Sequence, residues 1–135
     1  MRILIAEDDQ VGRTLLQKFL SRYGECELAA DGIQAIDAFI NAHNEEKPYG
    51  LICLDIMMPK LDGIKTLKTI RDIEKHRGVE ENSRAKVIMT TALNDKKTVA
   101  ESYESGCEAY AWKPIELDKF EEVLAKLKLY KPRDS

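Results

Sequence analysis

Residues 51–59, Leu51-Ile52-Cys53-Leu54-Asp55-Ile56-Met57-Met58-Pro59, constrain the fold more than any other stretch. Four apolar residues run without interruption into Asp55, a second short apolar segment follows, and Pro59 and then Asp62-Gly63 mark a turn. An unbroken apolar run of this length suits a strand covered on both faces in a parallel sheet, not the alternating pattern of a half-exposed one. The end of such a strand delivers its carboxylate to the carboxyl edge of the sheet, where open α/β sheets place their ligands. Two readings of Asp55 are open at this point: ordinary turn chemistry, or a nucleophile.

Around this strand, apolar segments alternate with stretches of helical period. Arg2–Ala6 reads as the first strand; Val11, Leu15, Leu16, Phe19 and Leu20 give a helix from Gln10 one face, with Asp9 as its N-cap and Gly24 beyond its end. Cys26–Ala30 is a short second strand. Asp31-Gly32 starts a helix with Ile33, Ile36, Phe39 and Ile40 as its buried stripe, and the polar stretch Asn41–Pro48 reads as a loop. Tyr49–Leu54 is the central strand. A third helix runs from Gly63, with Ile64, Leu67, Ile70 and Ile73 inward, past Glu74 to a polar loop at Gly78–Arg84. Lys86–Thr90 is the fourth strand. A helix from about Asn94 turns Val99, Ala100 and Tyr103 inward and stops near Gly106. Ala109–Trp112 is the fifth strand, and Leu117, Phe120, Val123, Leu124 and Leu127 share a face of the last helix. Five strands alternating with five helices predict a doubly wound parallel sheet, and right-handed crossovers favour the flavodoxin-like order 2-1-3-4-5. The expected division is one domain over 1–130 with a short polar tail at 131–135.

Composition narrows the function classes. A net charge of −3 with dispersed Lys and Arg does not favour direct nucleic-acid binding. No apolar run reaches membrane-spanning length and no signal-like segment precedes Arg2, so no membrane insertion is expected and a cytoplasmic location is. Cys26, Cys53 and Cys107 are odd in number and lack a C-x-x-C pair, which argues against a disulfide framework or a zinc site. His43 and His76 lie in polar stretches and read as solvated surface residues.

In the predicted strand order four strand ends lie along one sheet edge: Glu7-Asp8-Asp9, Asp55, Thr90-Thr91-Ala92 and Lys113-Pro114. Carboxylates gathered there repel one another unless some take up protons or a cation intervenes, and carboxylate oxygen with water is what magnesium binds. The acidic run is equally readable as a helix N-terminal cluster favoured by the dipole; Asp9 has that role, whereas Glu7 and Asp8 have no need of it. Lys113 is either a strand-end residue before a turn proline or a cation for the charge on a transferred phosphoryl group. Thr91 is either a β-branched strand terminus or a hydroxyl donor to a phosphoryl oxygen.

The chain resembles the receiver domain of two-component response regulators, of the chemotaxis-regulator type, over essentially all of residues 1–130. The likeness rests on Ile3-Leu4-Ile5-Ala6-Glu7-Asp8-Asp9, on Leu54-Asp55-Ile56-Met57-Met58-Pro59 with Asp62-Gly63, on Met89-Thr90-Thr91-Ala92, and on Tyr110-Ala111-Trp112-Lys113-Pro114. It implies that Asp55 is the phosphoacceptor and that Mg2+ is held by Asp8, Asp55 and the backbone carbonyl of Met57, with Glu7 acting through water. It implies further that Lys113 binds the phosphoryl group, that Thr91 and Tyr110 form a switch in which Tyr110 turns inward as Thr91 moves, and that the Lys113–Pro114 bond is cis. The implied partners are a histidine kinase or histidine phosphotransfer domain and a downstream protein, met through the surface of helix Asn94–Ser105, strand Ala109–Trp112 and helix Leu117–Leu129. The implied state is a monomer or weak dimer, and the implied role is a switch that catalyses only its own phosphorylation and dephosphorylation. Two departures stand out: the long polar loop Lys75–Ala85, and apolar Met57 and Leu93 at the positions that tune hydrolysis in similar proteins. Neither side chain can orient an attacking water, so slow self-dephosphorylation is expected.

Three rival readings are weaker. A haloacid-dehalogenase-type phosphohydrolase needs a second aspartate two residues after the first, where this chain has Met57. A flavin or nucleotide binder needs a first strand–helix turn that accepts phosphate, and this one is acidic instead of glycine-rich. A receiver-like interaction module that works without phosphate would not need Glu7, Asp8, Asp55, Thr91 and Lys113 together.

Overall fold

A computed structural model describes residues 1–93 and 95–129. Their order is β1 (Arg2–Ala6), α1 (Gln10–Leu20), β2 (Glu25–Ala29), α2 (Gly32–Asn44), β3 (Leu51–Asp55), α3 (Gly63–His76), β4 (Lys86–Thr91), α4 (Lys96–Glu104), β5 (Ala109–Trp112) and α5 (Leu117–Lys126), with a 3-10 turn at Glu81–Ser83. The five strands form one sheet in the order β2-β1-β3-β4-β5, and every pairing is parallel, as expected. The start of the helix expected from Asn94 and the proposed tail at 131–135 lie outside the described residues; within them α4 opens at Lys96, capped by Asp95.

The pleat divides the core in two. Leu4, Ala6, Ile52, Leu54, Val87 and Met89 face one side with residues of α2 and α3. Ile3, Ile5, Leu51, Cys53 and Ile88 face the other, under Leu16, Phe19 and Leu20 of α1 and Phe120 and Leu124 of α5. β3 is buried along its whole length, which is what its unbroken apolar run required.

Several inward faces differ from the sequence expectation. In α1, Val11 is 76% exposed and Leu15 also faces solvent. At about 100° per residue, the stripe of Leu16, Phe19 and Leu20 continues back through Gly12 and not through Val11. In α2 the buried positions are Ala35, Phe39 and Ala42, while Ile33 is 46% exposed and Ile36 and Ile40 are only half-buried. The helix start lies close to its neighbour: a Cβ on Gly32 would stand 2.4 Å from the Leu61 carbonyl oxygen. Ala42 also keeps the inward spacing going, so α2 runs to Asn44 through what reads as loop. In α4, Ala100 and Tyr103 are exposed and Ser102 is the buried residue, its hydroxyl donating to the Thr98 carbonyl at 2.9 Å. Leu117, at the first turn of α5, is likewise exposed. β2 begins and ends one residue earlier than expected, β4 extends to Thr91, and Tyr49 precedes β3, its phenol donating to Glu27 at 2.6 Å.

His76 is exposed, but His43 is half-buried against the Phe39 ring, and burial followed by the nearby Arg77 holds its pKa below the ordinary value. The cysteines are free, with Cys53 and Cys107 buried. Among the described residues no helix is long and apolar enough to cross a membrane.

The amino-terminal ends of β4 and β5 are tied together by one side chain of α3. Arg71 donates to the Gly106 carbonyl at 2.7 Å, to the Ala85 carbonyl at 2.9 Å and to both Glu108 oxygens at 3.0 Å. It also pairs at 2.7 Å with fully buried Glu74, whose other oxygen accepts the Ala85 N–H at 2.9 Å. The Val87 N–H closes the arrangement on Glu108 at 2.6 Å. The long polar loop after α3 is therefore exposed at its tip and pinned at its return.

Candidate functional site

β1 and β3 end side by side, and each end turns a carboxylate toward the same face. Ile5 and Cys53 are paired and belong to the α1/α5 side of the core; two residues on, Glu7 and Asp55 return to that side. Ala109 and Ala111 pack there as well, and two residues further comes Lys113. The acidic and basic groups thus form a polar cap on an apolar column. Lys113 Nζ donates to Asp55 Oδ2 at 3.1 Å and is ion-paired with Glu7 Oε1. Glu7 and Asp55 are nearly inaccessible, while Asp8 beside them is exposed.

The electrostatics follow from that burial. Desolvation, then hydrogen bonding and repulsion from Glu7, push the Asp55 carboxyl up to about 7, against the pull of Lys113. Burial acts on Glu7 in the same sense, but its close contacts with Asp55 and Lys113 and the hydrogen bond from the Asp9 N–H outweigh it and hold Glu7 below the usual carboxylate range. Burial opposes the charge on Lys113 too, yet its two carboxylate partners keep it above an ordinary lysine. Asp55 is therefore the member of the trio that takes up a proton.

The surrounding backbone holds these groups in place. Asp9 caps α1 as its sequence suggests, accepting the Gly12 N–H at 3.0 Å, while its own N–H donates to Glu7 Oε2 at 3.1 Å. Arg13, which the sequence did not single out, donates to the Glu7 carbonyl at 2.8 Å. The Met57 N–H donates to Asp55 Oδ1 at 3.2 Å. The Lys113–Pro114 bond is cis. Gly63 donates to the Ile56 carbonyl at 2.8 Å, and a Cβ there would lie 2.3 Å from the Asp55 carbonyl oxygen and 2.7 Å from the Ile56 Cα. Both obstacles are backbone, so Gly63→Ala is expected to cost about 2 kcal/mol by forcing α3 away from the end of β3. Chemical denaturation measures this, and an unchanged midpoint would contradict the close approach.

On the other face of β4 the two expected switch residues meet at Leu93. Thr91 Oγ1 accepts the Leu93 N–H at 3.1 Å, and the Tyr110 hydroxyl donates to the Leu93 carbonyl at 2.7 Å. Tyr110 is already buried, so its ring lies inward in this state, where the resemblance implied a ring that turns in afterwards. Met57 is 59% exposed and Leu93 half-buried at the edge of a cleft of about 670 Å3, lined also by Asp8, Lys65 and Lys68.

Glu7, Asp8 and Asp55 are the one group among the described residues whose oxygens gather closely enough for a metal ion, all within 4.8 Å of one another. Glu7 Oε1, though ion-paired, makes no hydrogen bond to a described residue. An all-oxygen set of three carboxylates, with Asp8 exposed at its edge, fits a hard divalent cation.

The family model of the response regulator receiver domain matches residues 3–125. A probable histidine kinase 2 from Oryza sativa subsp. indica is 31% identical over 134 residues, covering 92% of this chain and 12% of the kinase. The chain thus spans only 10–12% of the length of the first histidine kinases it matches. The receiver domain of Saccharomyces cerevisiae Ssk1, crystallised with the histidine phosphotransfer protein Ypd1, superposes with a TM-score of 0.78 at 27% identity, covering 99% of this chain and 94% of that one. The Borrelia burgdorferi CheX–CheY–BeF3–Mg2+ complex gives a TM-score of 0.77 at 27% identity, covering 95% and 89%.

Proposed function

The chain belongs to the response regulator receiver domain family, a module of two-component signalling, and from that premise we propose that it is a switch phosphorylated on Asp55. The observation that carries the reading is the buried trio, a carboxylate at the end of the central strand with a lysine on one oxygen and a second carboxylate beside it. The donor is a phosphohistidine on a histidine kinase or a histidine phosphotransfer domain, the kind of protein found with the yeast receiver domain. Asp55 attacks phosphorus, the phosphorus–nitrogen bond breaks, and its electron pair returns to the imidazole. Lys113 turns from Asp55 to the phosphoryl oxygens and offsets their charge. Asp8, Asp55 and the Met57 carbonyl would hold Mg2+, with Glu7 reached through water. The chemistry that ion supplies when bound is neutralisation of the phosphoryl oxygens and of the carboxylates around them.

Because Thr91 and Tyr110 both bind Leu93, a phosphoryl group that draws the Thr91 hydroxyl away releases the Leu93 N–H while Tyr110 keeps the carbonyl. The β4–α4 segment then repacks and changes the surface of α4, β5 and α5 that a downstream protein reads. Met57 and Leu93, at the positions that tune the return reaction in similar proteins, are apolar and cannot orient an attacking water. The phosphorylated protein, freed of donor, is therefore expected to keep its phosphoryl group for many minutes; a half-life of seconds, followed by intact mass, would sink this expectation.

The experiment that tests the function is incubation with Mg2+ and acetyl phosphate, or with a phosphorylated histidine phosphotransfer domain, followed by intact mass. A gain of one phosphoryl group that EDTA prevents supports the switch. No gain from either donor would leave an interaction module that works without phosphate.

A further inference from the structure

Two buried side-chain oxygens make no hydrogen bond among the described residues: Glu7 Oε1, which is ion-paired with Lys113, and Thr90 Oγ1, which has no ion pair either. They share a face of the sheet. Ile88 packs on the α1/α5 side, and Thr90, two residues on, returns to it. Thr90 pairs in register with Asp55 on β3 and with Ala111 on β5. β4 lies between those strands. To reach Asp55 at 3.1 Å, and Glu7 beyond it, Lys113 must carry its side chain across the end of β4 on the face that Thr90 occupies. Thr90 is only 1% exposed. A valine has the same shape without a hydroxyl to leave unpaired, so the hydroxyl needs a reason.

The lysine supplies it. An ammonium has three donors, and Asp55 and Glu7 engage two of them. During transfer Asp55 puts an oxygen into the bond to phosphorus, and the lysine exchanges that contact for a phosphoryl oxygen. Its side chain is 29% exposed, so solvent competes for the ammonium at that moment. Resting on the reading of Asp55 as phosphoacceptor, we propose that Thr90 is a positioning residue whose buried hydroxyl accepts a hydrogen bond from the Lys113 ammonium and keeps it over the transferring group.

The test compares the full chain with Thr90→Val, Thr90→Ala and Thr90→Ser. The loading rate from acetyl phosphate in Mg2+ is followed by intact mass across donor concentrations, and thermal midpoints are taken without donor. Removing a hydrogen bond to a charged group predicts that Thr90→Val is at least as stable as the parent yet loads about tenfold more slowly at saturating donor. The half-saturating donor concentration stays nearly unchanged, and Thr90→Ser restores the rate to within about twofold, since it keeps the hydroxyl. Thr90→Ala must load as slowly as Thr90→Val, which decides the matter if the valine variant folds poorly. A Val or Ala variant that loads at the parental rate, or a Ser variant as slow as Val, overturns the proposal and leaves Asp55 as phosphoacceptor. A parent that gains no phosphoryl group from any donor overturns the Asp55 reading and this proposal together, and shows itself before any Thr90 variant is made.

Discussion

Asp55→Asn is expected to fold, to gain no phosphoryl group, and to be more stable than the parent by an amount that grows with pH. An amide keeps the shape and an acceptor for Lys113 but cannot attack phosphorus. The stability gain follows from burial. The folded chain holds the Asp55 proton up to about pH 7, whereas the ordinary carboxyl releases it near 3.8. Between those values the folded parent binds a proton that the unfolded chain has lost, so its stability falls as pH rises through the window. The amide has no such proton, and its advantage should open from about pH 4 and level off above about pH 7, at about 4 kcal/mol, the pull of Lys113 being already contained in the shift. Urea denaturation at a series of pH values, without divalent metal, measures it. A difference that does not change with pH would remove Asp55 from the buried cluster's titration, and phosphoryl gain by the variant would move the acceptor elsewhere.

Lys113→Ala is the second large effect. Glu7 and Asp55 would remain almost wholly buried without the cation that now touches both. Breaking a buried ion pair from one side leaves uncompensated charge, and the expected loss is about 3 kcal/mol near neutral pH. Acid should return part of it by protonating one carboxylate. Magnesium should return more, because a dication replaces the missing charge; the thermal shift on adding Mg2+ is thus expected to be larger in the variant than in the parent. Loading from acetyl phosphate should fall about a hundredfold, the scale for losing one electrostatic contact to a developing charge. A variant as stable as the parent at pH 8, with the same response to Mg2+, would show that the trio is not coupled as its distances imply.

What could be read from the chain was whatever the local pattern alone determines. The apolar run into Asp55, the cap at Asp9 and the lysine before Pro114 each carry their meaning in adjacent residues, and the alternation of segments ordered the sheet. The inward faces of α1, α2 and α4 were less legible because bulk is a poor guide to them. Gly32, Ala35 and Ala42 are buried where neighbouring isoleucines are not, and only at Gly32 does the close approach of Leu61 and Thr66 explain it. Arg13 was not singled out, and Thr90 was named only as part of a strand end, with no role of its own. Each matters through a partner fixed by the fold: a carbonyl just past the end of β1 for Arg13, a side chain reaching over from beyond β5 for Thr90. Leu93 was noticed for its apolar side chain, while its backbone is what joins Thr91 to Tyr110.

The Arg71 tie has a mechanical consequence. It grips β4 and β5 where they begin, at Ala85, Val87, Gly106 and Glu108, and the residues that answer to the site sit at or beyond the far ends of the same strands. Two beams clamped at one end and loaded at the other deflect least at the root and most at the tip. On the proposed reading, a small force at Thr91 or Lys113 would then move the α4–β5 corner more than the strand roots. The stiffness of the root sets how much of that force reaches the far surface. A softer grip would let the whole corner drift, and the two positions of the proposed switch would blur into one.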